Sequence, residues 1–301
     1  MTIQEEILAL KEERQAIILA HNYTRPEIQD IADFTGDSLE LARKAAECNA
    51  KVIVFCGVSF MAETAKILSP DSIVLHPNPD STCPMAEMVG HDELLEWRRE
   101  HPRTTVIAYV NTTAATKEVV DMCCTSGNAE KIVSRLPPDE KVLFVPDQNL
   151  GANLNKKLGR NMQLWPGYCP THNRIMPEHI LSAKQKHPEA VVLVHPECRP
   201  AVVELADYAM STGQMLDYVR NNLWMEYIIG TEQGIIHRMQ KENPNKKFYP
   251  LDPPVVCPNM KKILLEDVIQ ALRDMQPEIK LPEDTMTNAR VSIERMLEQS
   301  K

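Results

Sequence analysis

The sequence has no long hydrophobic run and no excess of basic residues. Of its 301 residues, 33 are lysine or arginine and 42 are aspartate or glutamate, which gives a formal net charge of −9 at pH 7. General nucleic-acid binding needs a basic face, so this balance argues against it. No run of about 18 apolar residues occurs, and the charged amino terminus lacks the apolar core of an export signal. We therefore expect a cytoplasmic protein that binds neither nucleic acid nor membranes.

Motifs that would assign a chemistry directly are absent as well. The chain contains no G-x-G-x-x-G, G-x-x-x-x-G-K-[ST], H-E-x-x-H or G-x-S-x-G. Its eight cysteines form no C-x-x-C pair, which disfavours a local structural zinc site. In a chain that is not exported the thiols stay reduced, so metal binding, catalysis or core packing explains them better than a disulfide scaffold.

Three of the cysteines precede a proline, once in each third of the chain and at nearly equal intervals. They are Cys83, Cys169 and Cys257. Proline follows an average residue only about 5% of the time, so three such steps in phase are unusual. Because proline fixes φ and starts helices well, each cysteine is expected at a helix N-terminus, where the dipole favours the thiolate.

Aligned on these cysteines, the three thirds of the chain show the same order of elements. Each third has an apolar run, a helix-like stretch, a turn of small residues, a second helix, another apolar run, a third helix and an extended stretch. The runs are AIILAHNY, TVIAYVNTT and AVVLVHPEC, then KVIVFCG, KVLFVPD and MEYIIG, and finally SIVLHPN, NMQLWPG and KKFYPLDP. Short apolar runs alternating with helices are typical of parallel strands covered on both faces.

The repeat predicts an α/β fold of three homologous αβα-sandwich domains with parallel sheets, arranged about a pseudo-threefold axis. The alternative is one large α/β domain in which regular βα alternation only imitates a repeat. We assign residues 86–172 to the second domain and 173–261 to the third. Residues 1–85 form the first, together with two helices in residues 262–301 that are expected to pack back on it.

Polar residues at the predicted strand ends define the candidate site, because functional groups of such units collect at the carboxyl ends of strands. These residues are His21, Tyr23, Tyr109, Asn111, His195 and Glu197. The turns TGDS, TSGN and STGQ add Ser38, Ser126 and Thr212 as N-caps, which either meet an anion or simply cap a helix. If the three domains face one another, these groups and the Cys-Pro steps meet in one cavity.

The three cysteines predict a shared metal centre. Thiolates are soft ligands that favour zinc or an iron–sulfur cluster. Three of them could hold three irons of a [4Fe–4S] cluster and leave the fourth iron open, as a Lewis acid suited to dehydration. Zinc bound by the three thiols and His172 is the competing assignment. A non-catalytic zinc scaffold, a cluster-bearing redox sensor and a dehydratase for another hydroxy acid remain alternative functions.

The sequence resembles the quinolinate synthase family along essentially its whole length. The most specific stretches are AHNYTRPEIQDIADFTGDSLELARKA, FCGVSFMAETAKIL, CPMAEM, YVNTTAATKEVVDMCCTSGNA, VPDQNLGANL, GYCPTH and VHPEC. The resemblance implies three αβα domains around a central [4Fe–4S] cluster. It also implies condensation of iminoaspartate with dihydroxyacetone phosphate to quinolinate, phosphate and two waters, a step of de novo NAD biosynthesis.

The resemblance further implies roles for individual residues. It implies that Cys83, Cys169 and Cys257 hold the cluster and that Tyr23, Glu197 and His21 act in catalysis. The residues implied to bind substrate are His21, Ser38, Tyr109, Asn111, Ser126, His172, His195 and Thr212. Iminoaspartate would be supplied by an aspartate oxidase or an aspartate dehydrogenase.

Overall fold

The computed structural model describes residues 2–300, and within them the chain forms three sheets of four strands. We call the chain segments around the three sheets the first, second and third units. The first unit contains α1 (Ile3–Glu13), β1 (Ala16–His21), α2 (Pro26–Ile31), β2 (Phe34–Gly36), α3 (Ser38–Glu47), β3 (Val52–Cys56), α4 (Ser59–Leu68) and β4 (Ile73–Leu75). A short 3₁₀ helix at Pro84–Glu87 follows it.

The second and third units repeat this order of strands. The second contains α5 (His91–Glu100), β5 (Thr105–Tyr109), α6 (Ala114–Glu118), β6 (Met122–Cys124), α7 (Ala129–Ser134), β7 (Val142–Val145), α8 (Gln148–Leu158), β8 (Gln163–Leu164) and α9 (Pro170–Asn173). The third contains α10 (Pro177–Lys186), β9 (Val191–Val194), α11 (Pro200–Val203), β10 (Tyr208–Ala209), α12 (Thr212–Asn221), β11 (Glu226–Gly230), α13 (Ile235–Glu242) and β12 (Lys247–Pro250).

All three sheets share one topology. The strand orders are β2-β1-β3-β4, β6-β5-β7-β8 and β10-β9-β11-β12, with parallel pairing throughout. The fold is therefore α/β with three repeated αβα units, as the sequence predicted. Three separate sheets argue against a single large α/β domain. The predicted domain boundaries remain a proposal.

An aspartate at the same place in each unit fixes the start of its leading strand. Asp33, Asp121 and Asp207 accept hydrogen bonds from the backbone N–H groups of Ile18, Val106 and Val192, each at 2.8 Å. Each aspartate lies just before the second strand of its unit and ties that segment to the leading strand. The same hydrogen bond between a backbone N–H and an aspartate therefore recurs in all three units, as expected if the units are homologous.

The second strand of each sheet was not predicted. β2, β6 and β10 are two or three residues long and lie at a sheet edge, in segments where the sequence suggested the end of a helix and the turn after it. A strand this short has no alternation of apolar and polar residues to detect. The preceding helices are correspondingly shorter than expected, so that α11 comprises only Pro200–Val203.

The two carboxy-terminal helices pack on different units. α14 (Leu265–Asp274) lies against α1 and β3, as predicted. α15 (Glu283–Gln299) contacts α4 but packs mainly on α6 and β6, so the expectation that it packs on the first unit is wrong. The hydroxyl of Ser292 in α15 donates to the Lys117 carbonyl at 3.0 Å, in a contact buried within the second unit. No helix within residues 2–300 is long and apolar enough to cross a membrane.

Candidate active site

A cavity of about 450 Å³ is lined by residues of all three units. Every residue that the sequence analysis assigned to the site lies on its wall. These residues are His21, Tyr23, Ser38, Cys83, Tyr109, Asn111, Ser126, Cys169, His172, His195, Glu197, Thr212 and Cys257. The structure thus brings together side chains that are far apart in sequence.

The three Cys-Pro steps enter the cavity from loops that follow the fourth strand of each unit. Cys83 and Cys169 have extended backbones directly before the 3₁₀ helix and α9, with proline at the first helical position. Cys257 differs, because hydrogen-bonded turns over residues 258–262 follow it instead of a helix. The predicted helix N-terminus is therefore present at two of the three cysteines.

The donor set fits a group that prefers thiolate ligands. All eight cysteines are free, so no disulfide occupies these three. Burial, together with the nearby Cys257 and Glu197, raises the pKa of Cys83 to about 12. Burial and Glu197 likewise raise the pKa of Cys169. Three thiolates on the wall of one cavity would need a cationic centre to compensate their charge, so these residues fit a thiolate-bound metal centre.

His172 lies at the centre of a polar network beside Cys169. Its Nδ1 is 2.6 Å from Oε2 of Glu197 and 3.3 Å from Sγ of Cys169. Ligand atoms of these three residues all lie within 4.8 Å of one another. The group can therefore act as a hydrogen-bonded trio or offer mixed ligands to one metal ion, and this ligand set differs from the three thiols and His172 of the zinc alternative.

Glu197 is a buried carboxylate with a donor on each oxygen. Tyr109 donates to Oε1 at 2.5 Å, and His172 faces Oε2. Burial alone would raise the pKa of Glu197, but His195, His172 and these hydrogen bonds lower it below its usual value. Burial and the neighbouring carboxylate raise the pKa of Tyr109. Glu197 is thus an ionised base that faces a protonated phenol.

Two histidines occupy equivalent places in the first and third units. His21 Nδ1 accepts the backbone N–H of Tyr23 at 3.1 Å, and His195 Nδ1 accepts that of Glu197 at 3.3 Å. A nitrogen that accepts carries no proton, so Nε2 is the protonated nitrogen of each neutral ring. Burial lowers the pKa of His21 and of His195 to about 3. Both rings are therefore neutral hydrogen-bond donors at pH 7.

Tyr23 is held by a residue that the sequence analysis missed. Its phenol lies 2.5 Å from the hydroxyl of Thr231, which lies 2.8 Å from His172 Nε2. Burial raises the pKa of Tyr23 well above its usual value, so the phenol keeps its proton. With Nδ1 of His172 donating to ionised Glu197, Nε2 accepts from Thr231, and Thr231 accepts from Tyr23.

Glu232 and Lys261 were also missed. Lys261 Nζ lies 3.0 Å from Oε1 of the fully buried Glu232, which accepts the backbone N–H of Cys257 at 3.3 Å. The same ammonium group hydrogen-bonds to the carbonyl of Tyr23. The pair thus ties the third cysteine to the first unit. Thr231 and Glu232 directly follow β11, so a search at the end of every central strand would have found both.

The prediction that Ser38, Ser126 and Thr212 are N-caps is wrong. Asp37 caps α3 by accepting the N–H groups of Leu39 and Glu40, Ser211 caps α12, and Asn128 precedes α7. A capping side chain must reach N–H groups two or three residues ahead, which the preceding residue does in α3 and α12. Ser38, Ser126 and Thr212 line the cavity instead.

The start of α12 already carries an anion. Oδ2 of Asp37, from the first unit, accepts from the Ser211 hydroxyl at 3.1 Å and from the backbone N–H of Gly213 at 3.3 Å. The helix dipole therefore stabilises a carboxylate of the protein itself. The Thr212 hydroxyl accepts from the Asn22 amide at 3.0 Å.

Fold and site together define a protein of three αβα units whose shared cavity is lined by three cysteines, three tyrosines and three buried carboxylates. The family model described as "NadA: Quinolinate synthetase A protein" matches residues 5–298. A quinolinate synthase of Dehalococcoides mccartyi (strain CBDB1) is 53% identical over 295 residues, covering 98% of this chain and 97% of the relative.

Two further relatives agree with this match. Quinolinate synthases of Geobacter metallireducens and Methanoregula boonei are 50% and 52% identical, and each alignment covers 98% of this chain and 97% of the relative. The chain therefore belongs to the quinolinate synthase family.

Proposed function

We propose that the protein condenses iminoaspartate with dihydroxyacetone phosphate to quinolinate, releasing phosphate and two waters. The observation that carries the proposal is the single cavity in which the three cysteines meet Tyr23, Glu197 and two neutral histidines. Family membership supports the same reaction, because the relatives are named for the product. Atoms balance in this reaction without an external oxidant, since the imine enters already oxidised.

The cofactor in this proposal is a [4Fe–4S] cluster held by Cys83, Cys169 and Cys257. Three protein thiolates leave one iron without a protein ligand. When bound, such a cluster supplies a Lewis acid for a hydroxyl or carboxylate oxygen. Because burial raises the pKa of Cys83 and of Cys169, these residues would be thiolates at neutral pH only with a bound cationic centre beside them.

Substrate binding in this proposal relies on neutral donors. Both substrates are anionic, and the Nε2–H groups of His21 and His195 can donate to carboxylate or phosphate oxygens. Asn111 and the hydroxyls of Ser38, Ser126 and Thr212 complete the donors on the wall, next to Tyr109 and His172. Neutral donors hold an anion in a buried site without adding unpaired buried charge.

Proton transfer is assigned to Tyr23 and Glu197, with His21 beside Tyr23. The rings of His21 and Tyr23 meet edge to face, with centroids 4.7 Å apart. The ionised Glu197 can take a proton from carbon, and the protonated phenol of Tyr23 can give one to a leaving hydroxyl. The reaction needs both transfers, because it forms a ring and loses two waters.

The chemistry of the first substrate places the reaction in a sequence. An imine of an α-keto acid hydrolyses in water, so an enzyme that oxidises aspartate, an oxidase or a dehydrogenase, must supply it freshly. The product would enter de novo NAD biosynthesis, and we propose the cytoplasm as the site of the reaction.

The direct test is product formation by anaerobically purified, cluster-loaded protein. Iminoaspartate generated in place from oxaloacetate and ammonia is mixed with dihydroxyacetone phosphate, and quinolinate is measured by mass spectrometry. We expect quinolinate only when both substrates and the protein are present. Absence of quinolinate from protein with a full complement of iron and sulfide contradicts the proposed function.

A further inference from the structure

Arg174 is the one lysine or arginine among the residues that line the cavity. It follows α9 directly and is exposed at the edge of the cavity. The same wall carries three acidic residues, which are Asp37, Glu197 and Glu232. A site proposed to take two anionic substrates therefore presents one permanent cation, and it lies on the solvent side.

Arg174 also lines a second, shallower groove that adjoins the cavity. This groove, which we call the vestibule, has a volume of about 320 Å³ and is lined by Thr171, Arg174, Ile175, His179 and residues 253–256. Thr171 and Arg174 belong to the walls of both spaces. Because Arg174 and residues 253–254 are exposed, the vestibule opens to solvent on the side of the cavity where Arg174 lies.

The vestibule is built to attract anions. No aspartate or glutamate is among its lining residues, although the whole chain carries a net charge of −9. Within residues 2–300, no carboxylate forms an ion pair with Arg174, whereas the arginine Arg98 forms a bidentate pair with Asp121. His179 Nδ1 accepts the N–H of Met176 at 3.1 Å, so Nε2 is its protonated nitrogen and a second donor.

We propose that the vestibule is the entrance for dihydroxyacetone phosphate and that Arg174 binds its phosphate there before the substrate passes into the cavity. A guanidinium group matches two phosphate oxygens at once, which an ammonium group does not. An unpaired cation on an acidic protein also attracts anions from a distance, in a way that salt screens. This inference rests on the proposed function for the identity of the ligand.

The test measures binding of dihydroxyacetone phosphate to cluster-loaded protein by anaerobic calorimetry at low and at moderate salt. We expect Arg174→Gln to weaken binding about tenfold or more, the loss typical of a charge-assisted hydrogen bond, and to remove most of the salt dependence. Arg174→Lys keeps the salt dependence and loses part of the affinity. Arg103→Gln is the matched control, because Arg103 is exposed just before β5, at the opposite end of its strand from the cavity.

Wild-type affinity and salt dependence in Arg174→Gln overturn the inference, and so does failure of the wild-type protein to bind dihydroxyacetone phosphate. Quinolinate formation is measured on the same samples to separate this inference from the proposed function. If binding depends on Arg174 but no quinolinate forms, the result supports the vestibule as a binding site for a phosphate-bearing anion and contradicts the proposed reaction.

Discussion

The hydroxyls of Tyr23 and Thr231 lie 2.5 Å apart, although 208 residues separate them in sequence. Thr231 also reaches His172, which faces Glu197, which accepts from Tyr109. Five side chains from all three units thus form an unbroken chain of hydrogen bonds between two phenols. Thr231 is the one link in this chain that the sequence did not suggest.

Replacing Thr231 by valine should lower kcat on the order of tenfold, less than the roughly 10²–10⁴-fold that loss of a general acid or base costs. Valine keeps the shape of threonine but leaves the Tyr23 phenol and His172 Nε2 without their partner, at a cost of about 1–3 kcal/mol for each buried group. Steady-state kinetics on cluster-loaded protein measures the effect. Thr231→Ser restores the hydroxyl and should recover most of kcat; equal losses in both variants would show that the hydrogen bonds are not what matters.

Tyr23→Phe and Glu197→Gln should both abolish steady turnover but stall at different points. The first variant lacks the proton of the phenol, and the second lacks the ionised carboxylate that takes one up. Rapid quenching of a single turnover, followed by mass spectrometry, should reveal a different intermediate in each variant. Turnover at the wild-type rate in either variant would remove that residue from the proposed proton transfers.

His76 should make the stability of the fold depend on pH. It is buried in the first unit, its Nδ1 has no partner within residues 2–300, and burial lowers its pKa to about 4. The unfolded chain binds this proton near pH 6.5. Between these two values the unfolded state holds a proton that the folded state lacks, so stability falls as the pH falls from 6.5 to 4.

The expected loss is about 3 kcal/mol over this range, and it levels off below pH 4. Urea unfolding followed by circular dichroism, at several pH values and in the same cluster state, measures it. His76→Gln cannot take up this proton and should show a shallower slope. Parallel pH profiles of the wild-type protein and the variant would mean that His76 contributes nothing.

The sequence predicts most of the fold because its strongest signals recur in phase. Continuous apolar runs such as Val52–Cys56 are fully buried strands, and the recurrence of such runs revealed the three units. The edge strands could not be predicted because their two or three residues show no alternation of apolar and polar side chains. In addition, the hydrogen bond that Asp33 accepts from the Ile18 N–H beside one of them joins residues far apart in sequence. The packing position of α15 could not be predicted because an amphipathic pattern does not specify which neighbouring element the apolar face of the helix will contact.

The candidate site could be predicted in part for a similar reason. His21, Tyr23, His195 and Glu197 follow strands that the pattern identified, so the rule on strand ends places them together. The hydrogen-bond partners of these side chains could not be predicted from the sequence. Whether Ser211 or Thr212 caps α12 depends on the residue at which the backbone becomes helical. The contact between Tyr23 and Thr231 depends on how the first and third units pack.

The most direct test of the proposed site is to quantify iron, acid-labile sulfide and zinc in protein purified without oxygen, together with its visible spectrum. Cys257→Ala is compared with Cys48→Ala, a matched loss of a thiol at the end of α3. We expect a brown wild-type protein with nearly equal iron and sulfide, an unchanged Cys48 variant, and loss of the cluster in the Cys257 variant. A colourless wild-type protein that retains stoichiometric zinc would contradict a [4Fe–4S] centre held by the three units.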